Sequence, residues 1–218
     1  MRFDYVIVGA GSAGCALANR LSEDGRYRVA LIEAGPRDTS PWIHIPVGYF
    51  RTMGNPKMDW CYETQEDAGI ANRSIPWPRG RVLGGSSSIN GLLYVRGQAQ
   101  DYDGWAQMGC TGWSWSDVLP YFKRSETWEG VDQTGLRGKS GPLSVQNSRL
   151  TRDVVDKWVD AAVDAGYKRN PDYNGADQEG VGYFQLTADK GRRCSTAVAY
   201  LNPAKKRKNL HILTNTQV

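Results

Sequence analysis

Val6-Ile7-Val8 is a short unbroken apolar run, the pattern of a parallel strand buried on both faces. A glycine turn, Gly9-Ala10-Gly11-Ser12-Ala13-Gly14, follows it. Over residues 13–21 the apolar Leu17 and Leu21 fall one helical turn apart, and Ala13, Ala16 and Ala18 leave room for close packing, which predicts a helix. Asp24-Gly25 ends that helix, and residues 28–33 read as a second strand, completing a βαβ unit. Periodicity then fails over residues 36–79, where Pro36, Pro41, Pro46 and Pro56 forbid long regular elements. Trp42, Tyr49, Trp60 and Tyr62 recur there. A disordered linker would be poor in aromatics, so this segment is expected to be an extended excursion that covers something.

Residues 80–97 are rich in Gly and Ser. Beyond them, residues 116–124 predict a helix entered through a Ser or Asp cap, and residues 129–140 a polar loop. A strand is expected at 141–145. Val154, Val155, Trp158, Val159, Ala162 and Val163 fall at helical spacing within 151–165, with Gly166 as the stop. Residues 180–186 suggest another strand, Ser195 a cap for a helix over 196–201, and Leu210-His211-Ile212-Leu213 a final strand. The basic run Lys205-Lys206-Arg207-Lys208 reads as a solvated turn before that strand rather than a nucleic-acid or membrane patch.

Composition narrows the class without naming a function. The chain has 218 residues, 40% hydrophobic and 23% charged, as expected of a soluble globular protein. A net charge of +4 helps attract an anionic cofactor but is too small to argue for nucleic acid. Cys15, Cys61, Cys110 and Cys194 lie far apart, and His44 and His211 are the only histidines, so no metal site is expected. Free thiols in a reducing compartment are the better reading. The N-terminus enters a strand at once and no apolar run approaches the ~20 residues that span a bilayer. The expected location is cytoplasmic, without a transmembrane segment, peripheral membrane association being the one membrane contact left open.

The G-x-G-x-x-G turn sits between a strand and a helix, with Glu33 ending the next strand, the context that marks a dinucleotide site. Gly9 allows the tight turn, Gly11 lets backbone approach a pyrophosphate, and Gly14 lets helix and strand pack closely. The helix start offers free N–H groups and partial positive charge to phosphates. Glu33 is expected to accept from the ribose hydroxyls and to repel a 2′-phosphate, which disfavours NADP. FAD and NAD remain open on this fingerprint. The second motif, Gly80-Arg81-Val82-Leu83-Gly84-Gly85-Ser86-Ser87-Ser88-Ile89-Asn90 with Gly91-Leu92-Leu93-Tyr94-Val95-Arg96-Gly97, has the paired glycines and small hydroxyl residues that bring backbone against a flat ring or diphosphate.

With Glu33-Ala34-Gly35 and Gly191-Arg192-Arg193-Cys194-Ser195-Thr196-Ala197, these stretches resemble the N-terminal part of the glucose–methanol–choline (GMC) oxidoreductases. The likeness is greatest to the bacterial choline-dehydrogenase and alcohol-dehydrogenase branch. It implies an α/β, Rossmann-like FAD-binding fold with a doubly wound parallel sheet, incomplete here, and the start of an α+β substrate domain. The implied organisation is a FAD-binding domain over 1–145, a substrate-domain insertion beginning at 146–190, and a return to the FAD domain at 191–218. FAD is implied as the cofactor, its ADP moiety on Gly9, Gly11, Ser12, Ala13, Gly14, Glu33 and Ala34. Val82, Gly85 and Ser86 are implied for the flavin and diphosphate, Asn90, Gly91, Leu92 and Leu93 for the isoalloxazine, and the backbone of Val218 for adenine. Some family members tether FAD to a histidine where this chain has Ile89, so non-covalent FAD is expected.

The implied activity is oxidation of a primary alcohol CH–OH by hydride transfer to flavin N5, with oxygen, a quinone or a dye as electron acceptor. A FAD-containing hydroxynitrile lyase, or a non-catalytic fragment needing a completing chain, are the alternatives. The family's catalytic histidine and its partner lie further downstream than this chain reaches; no catalytic residue is expected among these 218 residues. Ending at Val218 is expected to leave a strand edge and apolar surface uncovered, and the chain by itself to bind FAD poorly and not to turn over.

Overall fold

The computed structural model describes residues 2–218. They form two compact units, one of residues up to Leu92 together with Lys190–Val218, the other Leu93–Asp189.

In the first unit the predicted βαβ is present: β1 (Tyr5–Val8), α1 (Ser12–Leu21) and β2 (Val29–Ile32). The strand Leu210–Leu213 joins them, and β2 lies in the middle of a three-stranded parallel sheet, Val6 opposite Ala30 and His211 opposite Ala30 on the other side. Burial follows that order. Val29, Ala30 and Leu31 are almost wholly buried, whereas Tyr5, Val6 and Val8 are exposed. The expectation that the first strand is buried on both faces is therefore corrected: among the described residues β1 has a neighbour on one side only, so its other edge and parts of its faces meet solvent.

Residues 36–79 hold short pieces rather than long elements, as their prolines require. Pro41–His44 and Tyr49–Thr52 are single helical turns, and Tyr62–Glu63 pairs antiparallel with Pro76–Trp77. Buried Asp59 ties the segment together, accepting from the backbone N–H of Gly54, Cys61 and Arg79. Ile43, Met58, Val82 and Ile89 form an apolar cluster, so the excursion and the Gly/Ser motif share a core. Later, Ala197–Leu201 is a wide π-type turn that runs into the helical Asn202–Ala204; Ser195 Oγ accepts from Val198 N, the cap its position suggested.

The second unit packs helices Ala99–Gln107, Trp115–Ser125 and Asp153–Asp164 with a small mixed sheet. Glu126–Trp128 runs parallel to Leu143–Asn147, which pairs antiparallel with Gln185–Leu186. The helix expected at 116–124 begins earlier because Ser114 and Asp117 form a reciprocal capping box. The strand expected over 180–186 shrinks to Gln185–Leu186, with only a single bridge from Val181 to Arg169. An ionic cluster lies inside the second unit beside buried Trp128, Val145 and Val159: fully buried Glu126 binds Arg96 and Arg137, and Arg137 also reaches Asp172. Among the described residues no helix is long and apolar enough to cross a membrane.

Candidate functional site

The carboxyl ends of β1 and β2 open onto a cleft of about 460 Å3 in the first unit. Val8, Gly9, Gly11 and Ser12 contribute from β1 and the start of α1, and Ile32, Glu33 and Ala34 from the end of β2. Trp60, Arg79, Gly80, Gly85 and Ser86 come from the excursion and the second motif, and Thr216, Gln217 and Val218 from the chain end. Clefts at the carboxyl ends of parallel strands are where open α/β sheets bind ligands.

The glycine turn is built for close approach. Gly9 has φ +90°, and a Cβ on Gly14 would stand 1.9 Å from the Gly9 carbonyl oxygen, so only glycine lets α1 fold back onto β1 here. Gly11 is the N-cap of α1 and no side chain caps the helix, which leaves first-turn N–H groups for an anion. The Ala10 peptide is held from three directions. Its N–H donates to Glu33 Oε2 (2.8 Å), and its carbonyl accepts from Gly84 N (2.8 Å) and Cys15 Sγ (3.1 Å). Burial pushes the Cys15 thiol up to about 11, so it is a neutral donor and not a nucleophile at neutral pH.

Glu33 is buried, and its second carboxylate oxygen accepts from Gly35 N at 2.9 Å. Each oxygen keeps a lone pair beyond these bonds, as an acceptor for hydroxyls in the cleft requires. The Glu33 backbone also fixes the chain end, donating to Leu213 O and accepting from Thr216 N. That places Val218 on the cleft.

The three serines of the second motif divide their work. Ser86 lines the cleft and its Oγ accepts from Gly80 N. Ser87 Oγ donates to Gly84 O and bonds Thr196, while Ser88 Oγ donates to Leu83 O, so both are spent on holding the loop. Asn90 Oδ1 accepts from Leu92 N and from Arg193 Nη1.

Of the residues expected to meet the cofactor, Gly9, Gly11, Ser12, Glu33, Ala34, Gly85, Ser86 and Val218 line this one cleft. Ala13 and Gly14 lie in the first turn of α1. Val82 is fully buried in the apolar cluster, and Leu92 is buried at φ +66°. A Cβ on Gly91 would meet open space, and Leu93 is half exposed in the second unit. Sequence reasoning missed Trp60, Arg79, Gly80, Thr216 and Gln217. The recurring aromatics of the excursion and the Pro78-Arg79-Gly80 step were the available signals. Neither histidine lines the cleft: His44 Nε2 donates to Asp38 O, and the His211 ring meets Phe3 edge-on. Among the described residues no group of three His, Cys, Asp or Glu could hold a metal.

The profile of the GMC oxidoreductases matches residues 3–218. The chain belongs to the GMC oxidoreductase family. Similar GMC relatives include the oxygen-dependent choline dehydrogenases of Photobacterium profundum (49% identical over 212 residues, 96% of this chain and 37% of the relative) and Brucella anthropi (48% over 213 residues, 98% and 39%). The chain thus spans about two fifths of the length of these relatives. Among solved structures, pyridoxine 4-oxidase from "Mesorbium loti" superposes with a TM-score of 0.93 at 38% identity, covering 100% of this chain and 43% of that one. A FAD-dependent oxidoreductase from Chaetomium thermophilum gives 0.86 at 31%, covering 97% and 38%. The Rossmann-like α/β fold expected of a GMC flavoenzyme is thereby established, and GMC members are FAD flavoproteins.

Proposed function

We propose that the first unit holds FAD non-covalently, and that the enzyme it serves oxidises the CH–OH group of a small primary alcohol. The observation that carries this reading is the convergence of an uncapped helix start and a buried carboxylate on one cleft. The residues fit the group chemically. The start of α1, Ser86 and the guanidinium of Arg79 suit a diphosphate; Glu33 suits ribose hydroxyls; Trp60 offers a flat face; and the end of the chain at Val218 suits adenine. Ile89 is hydrocarbon packed in the core, with no group to form a tether.

When bound, FAD supplies the hydride acceptor at its N5. The role of this chain is to bind and orient it. Hydrogen bonds of Ser87, Ser88 and Asn90 hold residues 84–92, which fixes Gly85 and Ser86 on the cleft wall. Taking the hydroxyl proton needs a base, and we assign that role to no residue of this chain, since His44 and His211 are engaged elsewhere. The choline dehydrogenase relatives favour a small primary alcohol as substrate. In the same reading a further strand covers the free edge of β1, and the enzyme works in the cytoplasm, where the exposed Cys61 and Cys110 stay reduced.

The test is to reconstitute the whole enzyme, not this chain by itself, with FAD and add alcohols, choline among them, without an acceptor. Bleaching of the flavin absorbance is expected, with recovery on adding oxygen, a quinone or a dye. Failure to hold FAD overturns the reading, and a flavin that stays oxidised while a hydroxynitrile is cleaved replaces it with a lyase.

A further inference from the structure

The basic run Lys205-Lys206-Arg207-Lys208 has no part in the cleft, and taken alone it reads as a solvated turn. The fold gives it neighbours. It leads into the strand Leu210–Leu213, and residues 22–28 lead into β2, so both turns lie at the amino ends of adjacent parallel strands. Asn209 Nδ2 joins them, donating to Ser22 O (3.1 Å) and Tyr27 O (2.8 Å). Arg207 Nη1 donates to Ser22 Oγ (2.9 Å) and is thereby spent on holding the turns together. Arg26, Arg28, Lys205, Lys206 and Lys208 are left exposed.

Two acids share these turns and both are engaged, Glu23 with Arg20 and Asp24 with Arg26. Arg28, Lys205, Lys206 and Lys208 have no carboxylate partner among the described residues. Those four cations equal the +4 net charge of the whole chain, and the remaining Lys and Arg match the 23 Asp and Glu in number. They do not serve the cleft. It opens at the carboxyl ends of the same strands, and a four-residue strand sets the two ends about 13 Å apart, beyond the ~8–10 Å reach of exposed charge in salt. Tyr27 stands among the cations, 38% exposed, its ring edge-on to Tyr5 at 5.1 Å and 5.8 Å from the Arg26 guanidinium. Cations around an amphipathic phenol suit a layer of lipid headgroups. Reading duplex DNA calls for a helix or ribbon that enters a groove, and these are short turns.

We propose that this end of the first unit is an electrostatic docking surface for the anionic phospholipid headgroups of a bilayer. Arg28, Lys205, Lys206 and Lys208 hold the headgroup phosphates, and Tyr27 sits at headgroup level. The attachment is peripheral and reversible, and salt weakens it. Because the cleft opens at the other end of the same sheet, the docked unit keeps its cleft towards solvent. Docking in this way needs nothing from the cleft or its cofactor.

The test is co-sedimentation of the whole enzyme with vesicles of equal phosphatidylglycerol and phosphatidylcholine, and with phosphatidylcholine alone, in about 0.1 M salt. Binding to the anionic vesicles only, lost at about 0.5 M salt, is expected. Lys205→Glu/Lys206→Glu/Lys208→Glu is expected to bind them about a hundredfold more weakly. Lys57→Glu/Lys157→Glu/Lys190→Glu, at exposed lysines elsewhere, changes net charge by the same amount and is expected to stay within about threefold of wild type. Four results overturn the proposal: no binding to anionic vesicles, equal binding to phosphatidylcholine, an unchanged affinity in the first variant, or equal losses in both variants. A tighter complex with duplex DNA that the first variant also loses overturns it too, making this face a nucleic-acid site. Should the first variant not fold, Lys206→Gln/Lys208→Gln decides alone, with an expected loss of about tenfold or more.

Discussion

A Cβ built on Gly85 stands 2.7 Å from the Cα of Gly11, so the second motif rests directly on the glycine turn. Gly85 also has φ +54°, where an L side chain is strained. Gly85→Ala must therefore either push the two segments apart or distort both. We expect a loss of about 2 kcal/mol in unfolding free energy from overpacking, together with weaker FAD binding, measured by urea unfolding and by flavin fluorescence titration. Native stability in G85A would show that the contact is soft.

Glu33→Ala removes the acceptor of two buried backbone donors, Ala10 N and Gly35 N. Leaving them without partners costs about 1–3 kcal/mol, and on the proposed reading a dinucleotide would also lose its ribose acceptor. The expected result is a lower midpoint in thermal unfolding of the apoprotein and a further loss of FAD affinity. Glu33→Gln keeps one oxygen acceptor and is expected to fall between the two.

In the second unit, Glu126 is the common acceptor for Arg96, Arg137 and the Gly138 N–H. Removing one partner of a fully buried ion pair strands the others, which typically costs 3–5 kcal/mol. Glu126→Ala should unfold at markedly lower denaturant, a shift of about 3 kcal/mol or more by linear extrapolation. The exposed pair Lys168–Asp177 provides the control: Lys168→Ala should change stability by less than about 1 kcal/mol.

The thiols separate by exposure. Cys61 and Cys110 are exposed while Cys15 and Cys194 are buried. A thiol reagent at pH 8 is expected to label the exposed pair quickly and the buried pair only after unfolding. Cys15 adds a pH dependence. Its pKa is raised from 9.0 to about 11, so the native state holds this proton more tightly than the unfolded one. That contribution is complete below pH 9 and is lost as pH rises towards about 11. Cys15→Ala should flatten the decline of stability across this window.

Local pattern sufficed where local physics decides the structure. The strand–glycine–helix–strand order of residues 5–33 needs only periodicity and turn chemistry, and Glu33 follows from its place at the end of β2. Burial was less legible. Val6 and Val8 carry the apolar signature of a central strand, yet exposure depends on which strands flank them, a property of the whole sheet. Trp60 and Arg79 reach the cleft through an excursion whose path is set by Asp59 and its three backbone partners, contacts that leave no periodic trace. Residues 180–186 were misjudged for a related reason: Gly180 and Gly182 press against Lys168 and Asn170 backbone, so the segment packs closely without laddering.

The hydrogen bond from Thr216 N to Glu33 O closes a ring of about 180 residues at the rim of the cleft. On the proposed reading, a dinucleotide bridging Glu33 and Val218 would span that closure and act as a clasp. Pairing of β2 with Leu210–Leu213 already closes the ring, so the clasp's effect on stability would come from binding the folded state and not the unfolded one. Loss of cofactor should thus loosen residues far from the cleft as well as those that touch it.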